Sequence, residues 1–297
     1  ISDQPMTINN VTLICNGEIY NYRELFELMG VEPETGSDCE IIIHLYKKYG
    51  IKETLSLIDG VFAFVLYDYS DYRDPARVYV ARDPLGVRPL YVLSASGPRF
   101  EDRDLDSVKI TYDNIYCFTS ELKPLQSLMN VHGPIYYDSF RPNSLTRAQG
   151  CPPPLSTRGL LVAKQYPPGT YSLFSLSHGA HRTWTPTAMA IPYASLNVSS
   201  SSLRTESETV GRSAYEIAVW DTLNEAVRKR TVGTTERGIA CCLSGGLDSS
   251  LIAALVSKYY DGDLETYSIG MEGSDDLKYA KVVATHLGSK HTEIILS

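Results

Sequence analysis

Two short stretches hold residue types whose order could do chemistry. In "CCLSGGLDSSLIAALV" (241–256), Gly245 and Gly246 stand between serines and Asp248. Such glycines let backbone amides approach a ligand closely, while Ser244, Ser249 and Ser250 set hydroxyls beside the open N–H groups of a helix start. That is a cradle for a phosphate-like anion; the plainer alternative is a Gly-Gly link between strand and helix. No Gly-Lys-Ser/Thr follows and the glycines lack the dinucleotide spacing, so neither common phosphate fingerprint applies. In "CNGEIY" (15–20), the Asn16 side-chain amide and the Gly17 N–H can aim two donors at one oxygen, as an oxyanion hole requires. Asn-Gly by itself is more often just a turn.

These residues need elements to hold them. "VTLIC" (11–15) reads as a buried strand that stops at an Asn16-Gly17 turn, and Tyr20 to Met29 as a short helix. "GSDCEIIIHLYKKYG" reads as one helix with Ser37 or Asp38 as N-cap and Gly50 beyond its end. "GVFAFVLYDY" (60–69) and "RVYVARD" (77–83) form a hairpin, "VRPLYVLSA" and "YCFTSE" two more strands, and "PPGTYSLFSL" a turn and strand. Arg82 and Asp83 could pair across the turn "RDPLGVRPLY". Residues 95–113 and 126–165 read as insertions, the latter a Pro-, Ser- and Arg-rich loop, and 177–212 as a Ser/Thr-rich linker.

Beyond the linker the pattern changes. Residues 213–231 read as a helix capped by Ser213 with Glu216 completing a capping box. Strand and helix then alternate through "GIACCL", "SSLIAALVSKYY", "ETYSIGM", "DLKYAKVVATHLG" and "HTEIIL", the pattern of a parallel sheet. The phosphate cradle falls where ligands of open α/β sheets bind, at the carboxyl end of a strand.

Length and charge narrow the partners. The chain has 297 residues, enough for about two domains, and a net charge of -8, which disfavours nucleic acid and anionic membrane. No run approaches the ~18 apolar residues of a membrane helix, and no signal peptide is visible, so the expected compartment is the cytosol. The six cysteines show no CxxC pair and read as reduced, mostly buried thiols.

The order of motifs supports a resemblance. Ser244-Gly245-Gly246-Leu247-Asp248-Ser249 resembles the pyrophosphate loop of the adenylating amidotransferase group, which splits ATP between its α and β phosphates. "SIGM" (268–271) resembles that group's second strand. "NGEIYNYREL", "TGSDCE", "DGVFAFVLYD", "ARDPLGVRPLY" and "TSELKPL" resemble, in order, the glutaminase domain of class II glutamine amidotransferases. Together they resemble the asparagine synthetase family over nearly the whole chain outside the insertions and linker.

The resemblance implies an α+β N-terminal-nucleophile glutaminase domain at 1–176, a linker at 177–212, and the start of an α/β adenine-nucleotide-hydrolase-like domain at 213–297. It implies that Asn16 and Gly17 stabilise the intermediate on glutamine's carboxamide and that Glu18 and Asp38 contact its α-amino end; an ordinary N-cap is the other reading of Asp38. Leu243, Ser244, Gly245, Gly246, Leu247, Asp248, Ser249 and Ile269 would bind ATP. Asp248 would help hold Mg²⁺ or fix the loop, or else cap the following helix. Asp276 and Lys278 fall on family positions and read equally as a solvated helical turn. The implied partners are glutamine, aspartate and ATP, without nucleic acid or membrane, and with a homodimer left open.

One part of the pattern has no match. The family's nucleophile is an N-terminal cysteine with its own amine as base, whereas residue 1 is Ile. The chain is expected to be incomplete at both ends, lacking that cysteine, the arginine for glutamine's carboxylate and the rest of the synthetase domain. Cys15 and Cys39 read as buried structural thiols rather than substitutes. Three functions stay open: asparagine synthesis through β-aspartyl-AMP, a non-catalytic nucleotide- or partner-binding relative, and a carboxylate-adenylating enzyme of the β-lactam synthetase kind.

Overall fold

The computed structural model describes residues 3–71, 75–96, 114–125, 135–138, 160–176, 184–194, 212–233 and 238–296. The chain divides into two units, Ile1–Leu196 and Asn197–Ser297. The first contains β1 (Met6–Ile8), β2 (Val11–Ile19), α1 (Tyr22–Met29), a 3-10 turn (Asp38–Glu40), α2 (Ile41–Tyr49), α3 (Ile51–Leu57), β3 (Gly60–Asp68) and β4 (Arg77–Arg82). It continues with β5 (Tyr91–Ser96), β6 (Asn114–Thr119), β7 (Ile135–Asp138), β8 (Leu160–Gln165), β9 (Thr170–Leu176) and β10 (Trp184–Pro192).

These strands make two sheets. One is antiparallel throughout, in the order β1-β2-β3-β4-β9-β10; the other runs β6-β5-β8-β7 and is antiparallel except for the parallel β7–β8 pair. Alternation along β2 and β3 gives the six-stranded sheet two apolar faces. Leu13, Ile19, Phe62, Phe64 and Leu66 face α1 to α3, where Phe26, Ile41, Ile42, Ile43 and Leu45 complete the main core. Three consecutive buried isoleucines mean that α2 is enclosed on nearly all sides, each side chain contributing about 1.5–3 kcal/mol of burial. The opposite face, with Ala63, Val80 and Phe174, meets Tyr166 and Phe118; the Phe118 ring lies 5.8 Å from Phe174 and 6.2 Å from Tyr166. The antiparallel α+β character expected of this half is present.

Several boundaries differ from the sequence reading. The supposed linker contains β10, which pairs with β9 as the sixth strand. Its Thr and Pro residues obscured it, and Pro186 is tolerated because β10 is an edge. The supposed loop at 126–165 contributes β7 and β8, the latter in register with β5; residues 126–134 and 139–159 lie outside the described residues, as does most of 95–113. The helix read across 37–50 is a 3-10 turn followed by α2, and α3 was not anticipated.

Arg82 and Asp83 do not pair across their turn. Each side chain instead satisfies backbone. Arg82 donates to the carbonyls of Arg88 (2.8 Å), Tyr166 (2.6 Å) and Gly86 (2.8 Å). Asp83 accepts from the N–H groups of Leu85 (3.1 Å), Val87 (2.9 Å), Arg88 (3.0 Å) and Phe62 (3.3 Å). Both side chains are buried, and burial pulls the Arg82 pKa down while the Asp83 charge opposes that shift.

The second unit is α4 (Arg212–Gly233), β11 (Ala240–Cys242), α5 (Leu247–Tyr259), β12 (Glu265–Met271), α6 (Asp275–Leu287) and β13 (Lys290–Leu296). Its strands are all parallel in the order β11-β12-β13, the α/β arrangement expected. Helix α4 starts at Arg212, so Ser213 lies inside the helix rather than at its cap. Val227 of α4 packs on Leu255 and Val256 of α5, and Ala253 of α5 on Ala280 and Ala284 of α6. Among the described residues no helix is long and apolar enough to cross a membrane.

The turn after β4 provides a stability test. Asp83→Ala strands four amides and leaves a buried guanidinium uncompensated, a loss of roughly 3–5 kcal/mol. Urea denaturation of the two proteins measures it, and a difference under about 1 kcal/mol would contradict this account of the turn.

Candidate functional site

Strand β1 covers β2 only as far as Leu13, which faces Met6. Beyond that point the outward backbone groups of β2 are met by side chains. Cys15 exchanges two bonds with the Gln4 amide, both 2.8 Å. The Ile19 N–H donates to Asp38 Oδ2 at 2.6 Å, and the Cys39 thiol donates to the Gly17 carbonyl at 3.8 Å.

On the inner side, Gly17 faces Phe62. Phe62 turns its own N–H and C=O to Asp83, at 3.3 and 2.7 Å, so Gly17 and Phe62 form a non-hydrogen-bonded pair of the close-spaced kind. The Gly17 N–H therefore projects off the same edge as Cys15 and Ile19. A Cβ at Gly17 would lie 2.5 Å from the Val61 oxygen and 2.8 Å from Phe62 Cα, and one at Gly60 would strike the Glu18 carbonyl. A glycine on each strand lets the pair close up and continue. Asn16-Gly17 is consequently mid-strand, not the turn its composition suggests, and pairing runs on to Ile19 and Gly60. Asn16 is exposed and adjoins this edge.

Asp38 is not the cap of its turn. Ser37 takes that role, accepting from the Cys39 N–H at 3.3 Å, and leaves Asp38 to reach β2. Burial pushes the Asp38 carboxyl above its ordinary pKa; the Ile19 N–H opposes this and the Glu18 charge adds to it. The structure thus gathers Gly17, Glu18 and Asp38 at one strand edge: an outward N–H beside two mutually repelling carboxylates. The surroundings of Cys39 disfavour its thiolate. The neighbouring Cys15 thiol, burial and the Asp38 charge all drive its pKa far upward, and both thiols are buried. Glu40 went unremarked in the sequence, yet it is fully buried between Asp38 and α2; its only signal was a carboxylate at the start of an apolar run.

In the second unit, β11 feeds the phosphate-type loop. Leu243 is buried and extends the ladder, its N–H donating to the Tyr267 carbonyl at 2.8 Å. Gly245 takes φ +78°, and a Cβ there would lie 2.5 Å from Tyr279 and the Ala280 amide, so α6 presses directly on the loop. Ser244 and Ser249 join hydroxyls at 3.0 Å, Ser249 Oγ also accepts from the Ser244 N–H at 3.3 Å, and the Gly246 N–H donates to Ser244 Oγ at 3.4 Å. Gly246 is the N-cap of α5 and offers no side-chain cap, so it leaves the first-turn amides without an acceptor from the cap side chain.

The remaining expected residues divide. Asp248 is exposed on the first turn of α5 and does not cap it. Ser250 Oγ is buried without a partner, outside the hydroxyl pair. Ile269 and Leu247 are 61% and 83% exposed, and Ile269 shares the uncovered side of β12 with Tyr267 and Met271. Lys278 pairs with Asp275 at 3.0 Å on an exposed turn, which favours the solvated reading of that segment. A cleft of about 850 Å³ between α4, β11 and α5 includes Asp248 and Ser249 in its wall. Among the described residues no three potential metal ligands converge, and the described cysteines are free thiols.

Comparison with known proteins meets this geometry from both ends. The glutamine amidotransferase domain family matches residues 1–101, and the asparagine synthase family matches residues 218–297. The glutamine-hydrolysing asparagine synthetases of Gallus gallus and Homo sapiens are each 32% identical, over 300 and 297 residues, covering 96% of this chain and 44% of theirs. The chain is asparagine synthetase-like, with a glutamine amidotransferase domain and an asparagine synthase domain. This asparagine synthetase-like chain spans less than half the length of the relatives it matches. The two matches fall one on each unit, with the edge of β2 in the first and the β11–α5 loop in the second.

The loop of this asparagine synthetase-like chain is open to a direct test. Gly245→Ala forces a strained positive φ and drives a methyl into α6, a cost of about 1–3 kcal/mol. Calorimetry should show the second unit melting earlier and ATP bound at least tenfold more weakly; an unchanged ATP affinity would remove Gly245 from the nucleotide site.

Proposed function

We propose that the protein makes asparagine from aspartate, glutamine and ATP in the cytosol. Glutamine is hydrolysed at the edge of β2 to glutamate and ammonia. At the β11–α5 loop, the aspartate side-chain carboxylate attacks the α phosphate of ATP, releasing pyrophosphate and forming β-aspartyl-AMP. Ammonia displaces AMP and leaves asparagine. The observation that supports this best is the Gly17 N–H placed with the Glu18 and Asp38 carboxylates, in a chain that also carries the Ser244–Ser249 loop.

Each group has a physical role. The Gly17 N–H and the Asn16 amide receive the developing oxyanion of the glutamine carboxamide, where preorganised donors act without reorganising. Glu18 and Asp38 hold the α-ammonium, whose charge relieves the repulsion between them. The amides of Gly246 and the first turn of α5, with the Ser244 and Ser249 hydroxyls, hold the departing pyrophosphate. Leu243 and Ile269 flank the adenine, and Leu247 adds apolar surface at the loop. Magnesium, which the family uses, would be held by Asp248 with the nucleotide phosphates and would offset their charge. The reading requires a nucleophile that neither Cys15 nor Cys39 supplies.

The reaction is tested on protein isolated intact from its source, supplied with glutamine, aspartate and ATP. Asparagine, AMP and pyrophosphate should appear in equal amounts. ADP in place of AMP would exclude adenylation, pyrophosphate with no asparagine would point to another carboxylate acceptor, and no turnover at all would favour a binding role.

Asp38 gives a sharper prediction. Its folded pKa is raised, so its ionised form opposes folding and that penalty lessens as pH falls through its titration. Asp38→Asn should therefore leave stability at pH 7 unchanged or slightly higher while weakening glutamine binding at least tenfold. Wild-type affinity for glutamine should fall as pH drops through the same range. Denaturation and binding titrations on both proteins measure this, and a variant that loses stability but keeps glutamine would contradict it.

A further inference from the structure

Glu40 is a fully buried carboxylate that the proposed reaction does not use. Its oxygens accept from the Glu34 N–H at 2.7 Å, the Thr35 N–H at 2.5 Å and His44 Nε2 at 3.0 Å. His44 sits one turn along α2, its ring edge-on to Phe26 at 5.7 Å. The segment held this way closes on itself: Thr35 Oγ1 accepts from the Ser37 N–H at 3.2 Å, Ser37 Oγ from the Cys39 N–H at 3.3 Å, and the Ser37 carbonyl from the Glu40 N–H at 3.2 Å. Asp38 lies inside this closed segment and reaches out of it to the Ile19 N–H, as the Cys39 thiol does to the Gly17 carbonyl and the Thr35 hydroxyl to Met6 Sδ.

A buried charge is costly unless every lone pair is well used, and an apolar side chain would pack the start of α2 more cheaply. Apart from His44, the donors to Glu40 come from the loop that leads into Asp38, and none comes from the sheet. We propose that Glu40 is a positioning residue for the glutamine site: by fastening the Glu34 and Thr35 amides to α2, it fixes the turn from which Asp38 reaches the edge of β2. The part that concerns glutamine rests on the function proposed above; the placement of Asp38 does not.

The substitution Glu40→Gln keeps shape but turns one acceptor into a donor facing a backbone N–H. Hydrogen exchange on the full chain reads the Asp38–Ile19 bond directly at the Ile19 amide. In E40Q that amide should exchange at least tenfold faster, while the amides of the β2–β3 ladder keep their protection, and L-glutamine should bind at least tenfold more weakly. Unchanged exchange at Ile19, or equal acceleration across the ladder, would overturn the proposal. A wild-type chain that binds no L-glutamine would defeat the functional reading, yet faster exchange at Ile19 in E40Q would still support the positioning of Asp38. Should E40Q not fold, His44→Leu removes one donor and keeps the carboxylate; an intermediate acceleration confined to Ile19 is then expected, and none would overturn the proposal.

Discussion

Among the described residues β2 has no strand on its outer side past Leu13, and its odd-numbered residues still present backbone donors and acceptors there. Buried polar backbone must find partners, and an open edge is a hazard unless side chains cover it. Gln4, Cys39 and Asp38 each meet one position of this edge. They come from two separate places in the chain, so covering the edge also fixes the segment before β1 and the turn before α2. The Gly17 N–H, pointing the same way between these contacts, becomes a donor held rigid by the sheet behind it. The first site is therefore the way one strand ends its pairing.

Close approach governed by glycine recurs in the second unit with a different partner. Gly17 admits the backbone of β3, and Gly245 admits the backbone of α6. In both places the glycine backbone lies against a packed element, so a methyl group there would disturb the packing. The chemistry of the two sites then differs in sign. Carboxylates crowd the edge of β2, which suits an ammonium. Amides and hydroxyls gather at the β11–α5 loop, which suits a phosphate. The chain's overall charge of -8 decides neither, because each ligand is read at hydrogen-bond range.

Much of this was legible in the residues. Alternation in β3 and β4, the strand–helix alternation after α4 and the glycine pair at 245–246 each reflect a local rule, and the structure follows them. What failed were places where tertiary contacts override local preference. Asn16-Gly17 has turn composition, but a long β3 with its own glycine at position 60 draws it into a strand. Strand β10 hides in Ser/Thr- and Pro-rich sequence because an edge strand may lack donors and apolar alternation. Arg82 and Asp83 looked like an ion pair because sequence shows charges, whereas the backbone groups they satisfy, 84 residues apart in one case, cannot be seen from it. Glu40 was hidden for the same reason, since the Glu34 and Thr35 amides it holds leave no mark in the sequence.

The perturbed ionisation of Asp38 follows from these constraints. A carboxylate placed only to complete the edge of β2 would gain from more donors, and one would expect its pKa to fall. Instead burial dominates, Glu18 adds repulsion, and the N–H groups of Ile19, Cys39 and Asp38 offset only part of the cost. Asp83 shows the alternative within the same unit, where four amides surround a buried carboxylate. The fold surrounds the Asp83 acid with four amides and leaves Asp38 with its pKa raised; under the function proposed above, the α-ammonium of glutamine would supply the missing compensation. Charge left under-compensated in this way disfavours the empty site and favours the occupied one, which is how a binding site acquires preference for its ligand over water.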